Sequence, residues 1–547
     1  MNPAFAKEAA RFGLAAEMAA VAGMALALMA ILGAVAAAMS PSVSANPASS
    51  SPAFPGSPSP LFTNALIPTP VDTPLSVPAY ISDHMVLQRD RPVALHGRAE
   101  PGRRVVVRLA PEEGSGNGSG SSASGFEWTG SVAAGPEGEW EVEVPARPAG
   151  GPYGLTIASE GVRLRLEDVW FGEVWLASGQ SNMEWKVDWR IMDREKAVRE
   201  ADRPLIRFFE VPNEVRATPS DWQEQGHWTV AGPETVGAFS AVAWFFARHL
   251  NVEHGVPVGI LEADWGGTPA EAWTPARPLL ELDGYRDAAQ GLVDGAAEWE
   301  ARIEANKRKT ELKFERIGSR EHAESVFHSQ IATGAAPLEP VTLPTQEPLR
   351  DFAWLVREID VPCGPGACAG PGRLVIGDVV QEAFVFWNGD YLGRKDWMDA
   401  GIDMMIPEER MRAGSNRVAL RVANSWDNRV RVGGPGGMRL EWGDAAVDLQ
   451  GRWEWTAEAE APMPDAVRLE WNPSFLYNAM IHPLRRVPVR GVIWYQGESN
   501  TDRAAEYREL FSTMIGAWRE VWSQPELPFL YVQLANYQAT QDGSEET

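Results

Sequence analysis

Between residues 80 and 160 short apolar runs alternate with Gly/Pro punctuation. Met85-Val86-Leu87-Gln88, Val93-Ala94-Leu95-His96-Gly97 and the runs at 105–109, 140–144 and 153–157 predict the strands of a small β-sandwich. The pattern changes near Asp168. A longer apolar run over 169–177 leads into Gly179-Gln180-Ser181-Asn182, and residues 239–250 carry apolar positions at helical spacing. Residues 258–263 read as another buried strand, ending at Trp265-Gly266-Gly267-Thr268. Strand, helix, strand with glycine-rich strand ends predicts an α/β layer. A charged helical stretch over about 281–330 and a Pro-rich connection follow. From Phe352 to about Trp455 the pattern is β again, with a hairpin signal at Asn388-Gly389-Asp390. After Pro473 the α/β pattern resumes: a helix over 476–484, a strand over 489–495, a helix over 503–522 and a strand over 529–534. The two α/β pieces therefore read as one domain interrupted by an inserted β module.

The N-terminus adds an export segment over 1–45. Lys7 and Arg11 precede an uninterrupted small and apolar run over 18–39, and Ser44-Ala45-Asn46 offers a cleavage region. The apolar run is long enough to span a bilayer if retained. A secreted or periplasmic location is expected, with an N-terminal anchor as the alternative. Residues 46–78 form a Pro/Ser-rich linker, and 114–125 a Gly/Ser-rich hairpin loop that contains the formal glycosylation sequon Asn117-Gly118-Ser119. Cys363 and Cys368, with four residues between them, permit a loop-closing disulfide; two free thiols are the alternative. No histidine or further cysteine lies nearby, so no metal site is expected there.

At 547 residues the chain exceeds one ordinary core. The expected division is a β-sandwich over 79–166, the first part of the α/β domain over 167–349, an inserted β module over 350–470 and the second α/β part over 471–547. The balance of 49 basic against 74 acidic residues, net −25, argues against a nucleic-acid or anionic-membrane partner.

The chemistry sits where apolar strands end. Gly179-Gln180-Ser181 closes one such strand, where a serine hydroxyl can stand at the mouth of an α/β sheet. Five segments in order carry a family resemblance: Asp83-His84-Met85-Val86-Leu87-Gln88-Arg89, Gly172 to Glu184, Gly266 to Trp273, Leu476-Tyr477-Asn478-Ala479-Met480-Ile481, and Trp494-Tyr495-Gln496-Gly497-Glu498-Ser499-Asn500. Together they resemble the sialate O-acetylesterase family, within the SGNH-hydrolase superfamily. The resemblance implies a three-layer SGNH-type α/β hydrolase domain with an N-terminal β-sandwich and an inserted, jelly-roll-like β-sandwich. A Gly-x-Ser-x-Gly elbow is absent because Met183 holds its last place, which disfavours the α/β-hydrolase fold.

The same resemblance implies hydrolysis of acetyl esters on sugars through an acetyl-Ser181 intermediate, with an acetylated sugar as partner and no cofactor or metal. Ser181 is the implied nucleophile, with its own N–H and that of Gly267 as oxyanion donors. Gln496 is the implied amide donor, and Glu498 the acid that orients a histidine unless it pairs with Arg503. Gln180, Asn182, Trp265, Thr268 and Asn500 are the implied substrate contacts. Tryptophans beside the motifs, Trp185, Trp265, Trp273 and Trp494, either stack on sugar or fill the core. One expected element is missing: family members carry an Asp-x-x-His-like block beyond the 529–534 strand. None of the eight histidines occupies that position; His482, at the end of the 476–484 helix, reads as a helix-end or surface histidine, with a substitute base as the alternative. Residues 541–547 read as the polar start of a loop, which implies a truncated gene and, as the alternative function, an impaired enzyme or a non-catalytic carbohydrate binder.

Overall fold

Strand β1 (Val162–Gly179) organises the part of the chain that carries Ser181. In the computed structural model the described residues are 75–112, 126–362, 370–434 and 436–534. The export segment, almost all of the linker, the Gly/Ser loop with its sequon, both cysteines and residues 541–547 lie outside them. The chain divides into two units, one drawn from residues up to 300 and from 469 onward, the other spanning 301–468.

In the first unit, the expected sandwich pairs Leu75–Ser76, Val93–Ala99 and Glu139–Val144 in one sheet. Arg104–Pro111, Trp128–Ala133 and Gly150–Ser159 join the first half of β1 in the other. There β1 alternates half-buried and exposed side chains, as a strand with one solvated face must. From Phe171 onward every residue is buried and the partners become parallel. The expected boundary at 166/167 therefore falls inside a continuous strand. The change of partner coincides with Asp168, which sits in the left-handed region (φ 56°) and accepts hydrogen bonds from Trp170 Nε1 and Arg207.

The parallel sheet continues with β2 (Ile206–Glu210), β3 (Val258–Asp264), β4 (Gly491–Tyr495) and β5 (Phe529–Tyr531), in the spatial order β2-β3-β1-β4-β5. The chain leaves β1 toward β2 and β3 and later returns on its other side as β4 and β5. β1 thus lies at a topological switch point, where ligands gather in open α/β sheets. One face of the sheet, with Trp175, Ala177, Ile260 and Ile493, packs on α2 (Ala241–His254). The other, with Leu176, Ala263, Val492 and Trp494, packs on Met514 and Trp518 of α3 (Ala504–Val521). This is the expected three-layer α/β arrangement. Ser240 caps α2 by accepting from the Ala243 N–H, and Gly255 ends it at φ 64°. The helix expected over 476–484 forms as a π turn, Tyr477–Ile481, followed by a 3₁₀ turn, His482–Leu484.

The second unit is a β-sandwich of a six-stranded and a four-stranded sheet around one apolar core. Asn388 and Gly389, both at positive φ, make the expected hairpin turn between Glu382–Trp387 and Asp390–Lys395. The unit begins at Ala301 rather than at the expected 350. Residues of the charged helical stretch cover the outer face of its larger sheet: Ala323, Val326, Phe327 and Ile331 pack on Trp354, Phe384 and Phe386. Among the described residues, no helix is long and apolar enough to cross a membrane.

Candidate active site

Three strands end together. Gly179 of β1 lies in register between Asp264 of β3 and Tyr495 of β4. Gly179 has φ 146°, and a Cβ there would strike the Tyr495 carbonyl oxygen at 2.1 Å. Only glycine passes between the strand ends this closely. The next residues turn into α1 (Ser181–Glu184), which puts the half-buried Ser181 at the carboxyl edge of the sheet.

The Trp265–Thr268 turn closes over it from β3. The Trp265 N–H donates to the Gly179 carbonyl at 3.1 Å, and Gly267 adopts φ 74°. A Cβ on Gly266 would sit 3.5 Å from Ser181 Cβ. The Gly266 N–H is taken by Glu184 Oε2 at 2.7 Å. Among the described residues neither the Gly267 N–H nor the Ser181 N–H has a partner, so two donors remain open beside the hydroxyl.

The third wall comes from the turn after β4. Glu498 Oε1 accepts from Asn182 Nδ2 at 2.5 Å, whereas its buried Oε2 has no partner among the described residues. Arg503 does not pair with Glu498; it reaches Glu271 at 2.9 Å. Glu271 accepts in turn from Asn500 Nδ2, and Asn500 Oδ1 accepts from Ala270 N–H and Gln496 Nε2. These partners fix which end of each amide is nitrogen. Gln496 Nε2 therefore spends one hydrogen on Asn500 at 2.7 Å and the other on the Thr268 carbonyl at 3.2 Å.

Behind the serine turn lies a group of carboxyls with a single ammonium. Lys186 Nζ bridges Glu262 Oε1 at 2.5 Å and Glu210 Oε1 at 3.0 Å. Burial opposes the Lys186 charge, yet Glu262, Asp264 and Glu210 together hold it above its ordinary value. Burial raises Glu184, against the opposing pull of the Gly266 N–H and Lys186. Burial first, and then Glu262, raises Asp264 well above the usual carboxylate range. Its Oδ2 has no partner among the described residues.

A sequence model of the family described as "Carbohydrate esterase, sialic acid-specific acetylesterase" matches residues 465–546. The sialate O-acetylesterase of Pongo abelii is 31% identical over 213 residues, covering 37% of this chain and 39% of the relative. That of Mus musculus is 24% identical over 484 residues, covering 84% of this chain and 60% of the relative. These matched segments are similar to the sialate O-acetylesterases. The chain spans 39% to 60% of the length of these two relatives. A solved carbohydrate acetylesterase from Xanthomonas citri aligns at 25% identity with a TM-score of 0.45, over 84% of this chain and 60% of that one.

With this family in view, the expected residues separate. Ser181, Gly267, Asn182, Gln496 and Glu498 converge on the end of β1, and Trp265 is half-buried in the turn beside it. Three of the expected substrate contacts are buried in this structure. Gln180 is 2% exposed, and its Oε1 accepts from the Gly497 and Ser499 N–H groups. Thr268 is fully buried between the Trp265 carbonyl and Trp273 Nε1, and Asn500 is 1% exposed within its bracket. All three side chains are buried and hydrogen-bonded to neighbouring turns. Trp273 and Trp494 are core residues. His482 Nδ1 lies against the Ser220 carbonyl at 2.8 Å, beside Asp221 and Arg485. Among the described residues no histidine is hydrogen-bonded to Ser181.

Sequence reasoning missed Glu184 and the Lys186–Glu262–Asp264 group. The available signal was two acidic residues in the otherwise apolar β3: Glu262 and Asp264 are buried, and such residues need a partner.

Proposed function

We propose that this chain is a carbohydrate O-acetylesterase that uses Ser181 as its nucleophile. The observation that carries the reading is the pair of open N–H donors, on Ser181 and Gly267, beside a serine at the end of the central strand. Ser181 Oγ attacks the acetyl carbonyl and its proton passes to a base. The carbonyl oxygen gains the negative charge, and the two N–H groups stabilise it as it forms. Collapse expels the sugar oxygen, which takes a proton, and leaves acetyl-Ser181. Water then repeats the attack and releases acetate.

Gln496 joins as a third donor once it releases the Thr268 carbonyl, the longer of its two bonds. Glu498 offers its unpartnered Oε2 to the N–H of a histidine base. An acetylated sugar such as an O-acetylated sialic acid is the proposed substrate, by analogy with the sialate O-acetylesterases. Export to the cell exterior or periplasm, where such glycans are met, goes with the leader-like N-terminus.

A second reading, binding without turnover, is favoured by the lack of a histidine bonded to Ser181 among the described residues. Acetate release from an aryl acetate and from O-acetylated sialic acid, measured beside Ser181→Ala, decides between them. The proposal expects a fall of at least ~10³-fold in kcat for the variant. Equal rates for the two proteins would remove Ser181 from the chemistry.

A further inference from the structure

We infer that Glu184 is a positioning residue: its carboxyl clamps the Gly266-Gly267 turn against the serine turn and so aims the Gly267 N–H at the reacting oxygen. The inference rests on the esterase reading above and assigns a role to a side chain that touches no substrate.

Glu184 stands three residues after Ser181 on α1, so both side chains leave the same side of that single turn. Its backbone N–H is held by the Gln180 carbonyl at 3.1 Å, which anchors the glutamate to the strand end. From there Oε2 takes the Gly266 N–H at 2.7 Å. The approach is close enough that a Cβ on Gly266 would meet Oε2 at 2.6 Å, with Ser181 Cα only 3.6 Å away. Glycine at 266 is thus required by the clamp itself.

The clamp also sorts the donors of the turn. Consecutive N–H groups at Gly266 and Gly267 would compete for an oxyanion. With Gly266 committed to Glu184, the Gly267 N–H alone is left to face the hydroxyl. Gly267 itself is in the left-handed region (φ 74°), which favours glycine. One further bond ties the same turn to β1, from the Trp265 N–H to the Gly179 carbonyl. Removing the Glu184 acceptor would leave the turn held at its two ends, by that bond and by the bonds at Thr268, with Gly266 and Gly267 untied between them.

The test compares Glu184→Ala with Glu184→Gln in the full chain. Glutamine keeps a carbonyl oxygen for the Gly266 N–H, and alanine does not. For aryl acetate hydrolysis, Glu184→Ala should lose ~10²-fold in kcat with KM nearly unchanged, the loss typical of one misplaced oxyanion donor. Glu184→Gln should recover most of it. Hydrogen exchange of the 264–268 segment should quicken at least about tenfold in Glu184→Ala and stay near the parent rate in Glu184→Gln. Undiminished kcat in Glu184→Ala, or equal damage in both variants, would overturn the inference. A parent protein that releases no acetate would sink the esterase reading instead. Exchange would still judge the clamp, and identical exchange in parent and Glu184→Ala would end it.

Discussion

Buried carboxylates occur in both units of the molecule, and they are handled in opposite ways. In the sandwich unit, Glu460 accepts from Arg421 through both oxygens, at 2.7 and 2.9 Å, and also from Trp354 Nε1, Arg316 and His322. Burial alone would raise it, yet Arg421 and the other donors hold it below its ordinary value. At the sheet ends of the other unit, Glu184, Glu262 and Asp264 share Lys186, and all three are pushed up by burial. A carboxylate that only joins elements is surrounded by donors. Under-compensated groups gather where a protein keeps polar atoms in hand for chemistry.

The largest effect should come from the well-paired side. Arg421→Met leaves Glu460 short of its main partner and is expected to cost about 3 kcal/mol or more in denaturant unfolding of the 301–468 unit. An unchanged midpoint would show that Arg316 and His322 suffice and would weaken the contrast. Next, Lys186→Met should destabilise the other unit by roughly 2 kcal/mol at pH 8 and by less at pH 5, where the carboxyls can take up protons instead. Equal losses at both pH values would mean that those carboxyls do not titrate as the contrast requires.

The smallest effect is a slope. A carboxyl whose folded pKa lies above its unfolded value stabilises the fold below the unfolded value, and this contribution is lost as pH rises through the folded one. For Asp264 that loss should approach ~1.4 kcal/mol per pH unit while one proton separates the two states. His96 acts in the other direction. Burial and then Arg486 and Arg485 bring it down to about 4, so its contribution is lost as pH falls from its unfolded value toward that number. Comparing parent and Asp264→Asn cancels the histidine, and the variant should show the flatter decline above pH 5. A steeper one would assign the proton elsewhere.

Element types were readable from the apolar pattern, because run length and punctuation distinguish strands from α2 and α3 without tertiary context. The position of Ser181 was readable too, since a strand ending in Gly-x-Ser must turn there. What escaped depended on distant partners. Gln180, Thr268 and Asn500 look like free polar side chains until residues from other turns cover them: Ser499 over Gln180, Trp273 over Thr268, Ala270 over Asn500. The sandwich boundary escaped because charged residues dominate the helical stretch, while the few apolar ones, such as Phe327 and Ile331, are those that meet Phe386 and its neighbours.

The uninterrupted run of β1 has a consequence for any attempt at modular dissection. A protein cut at the apparent module border, 166/167, would begin inside the strand that delivers Ser181. It would also expose a seam shared by Leu166 on one side and Leu176 on the other. The sandwich is therefore a splint and not an appendage: the first half of β1 braces the second. Heating should melt the two as one calorimetric event, and a fragment lacking residues before 162 should lose the sandwich strand that pairs with the first half of β1, and its fold with it.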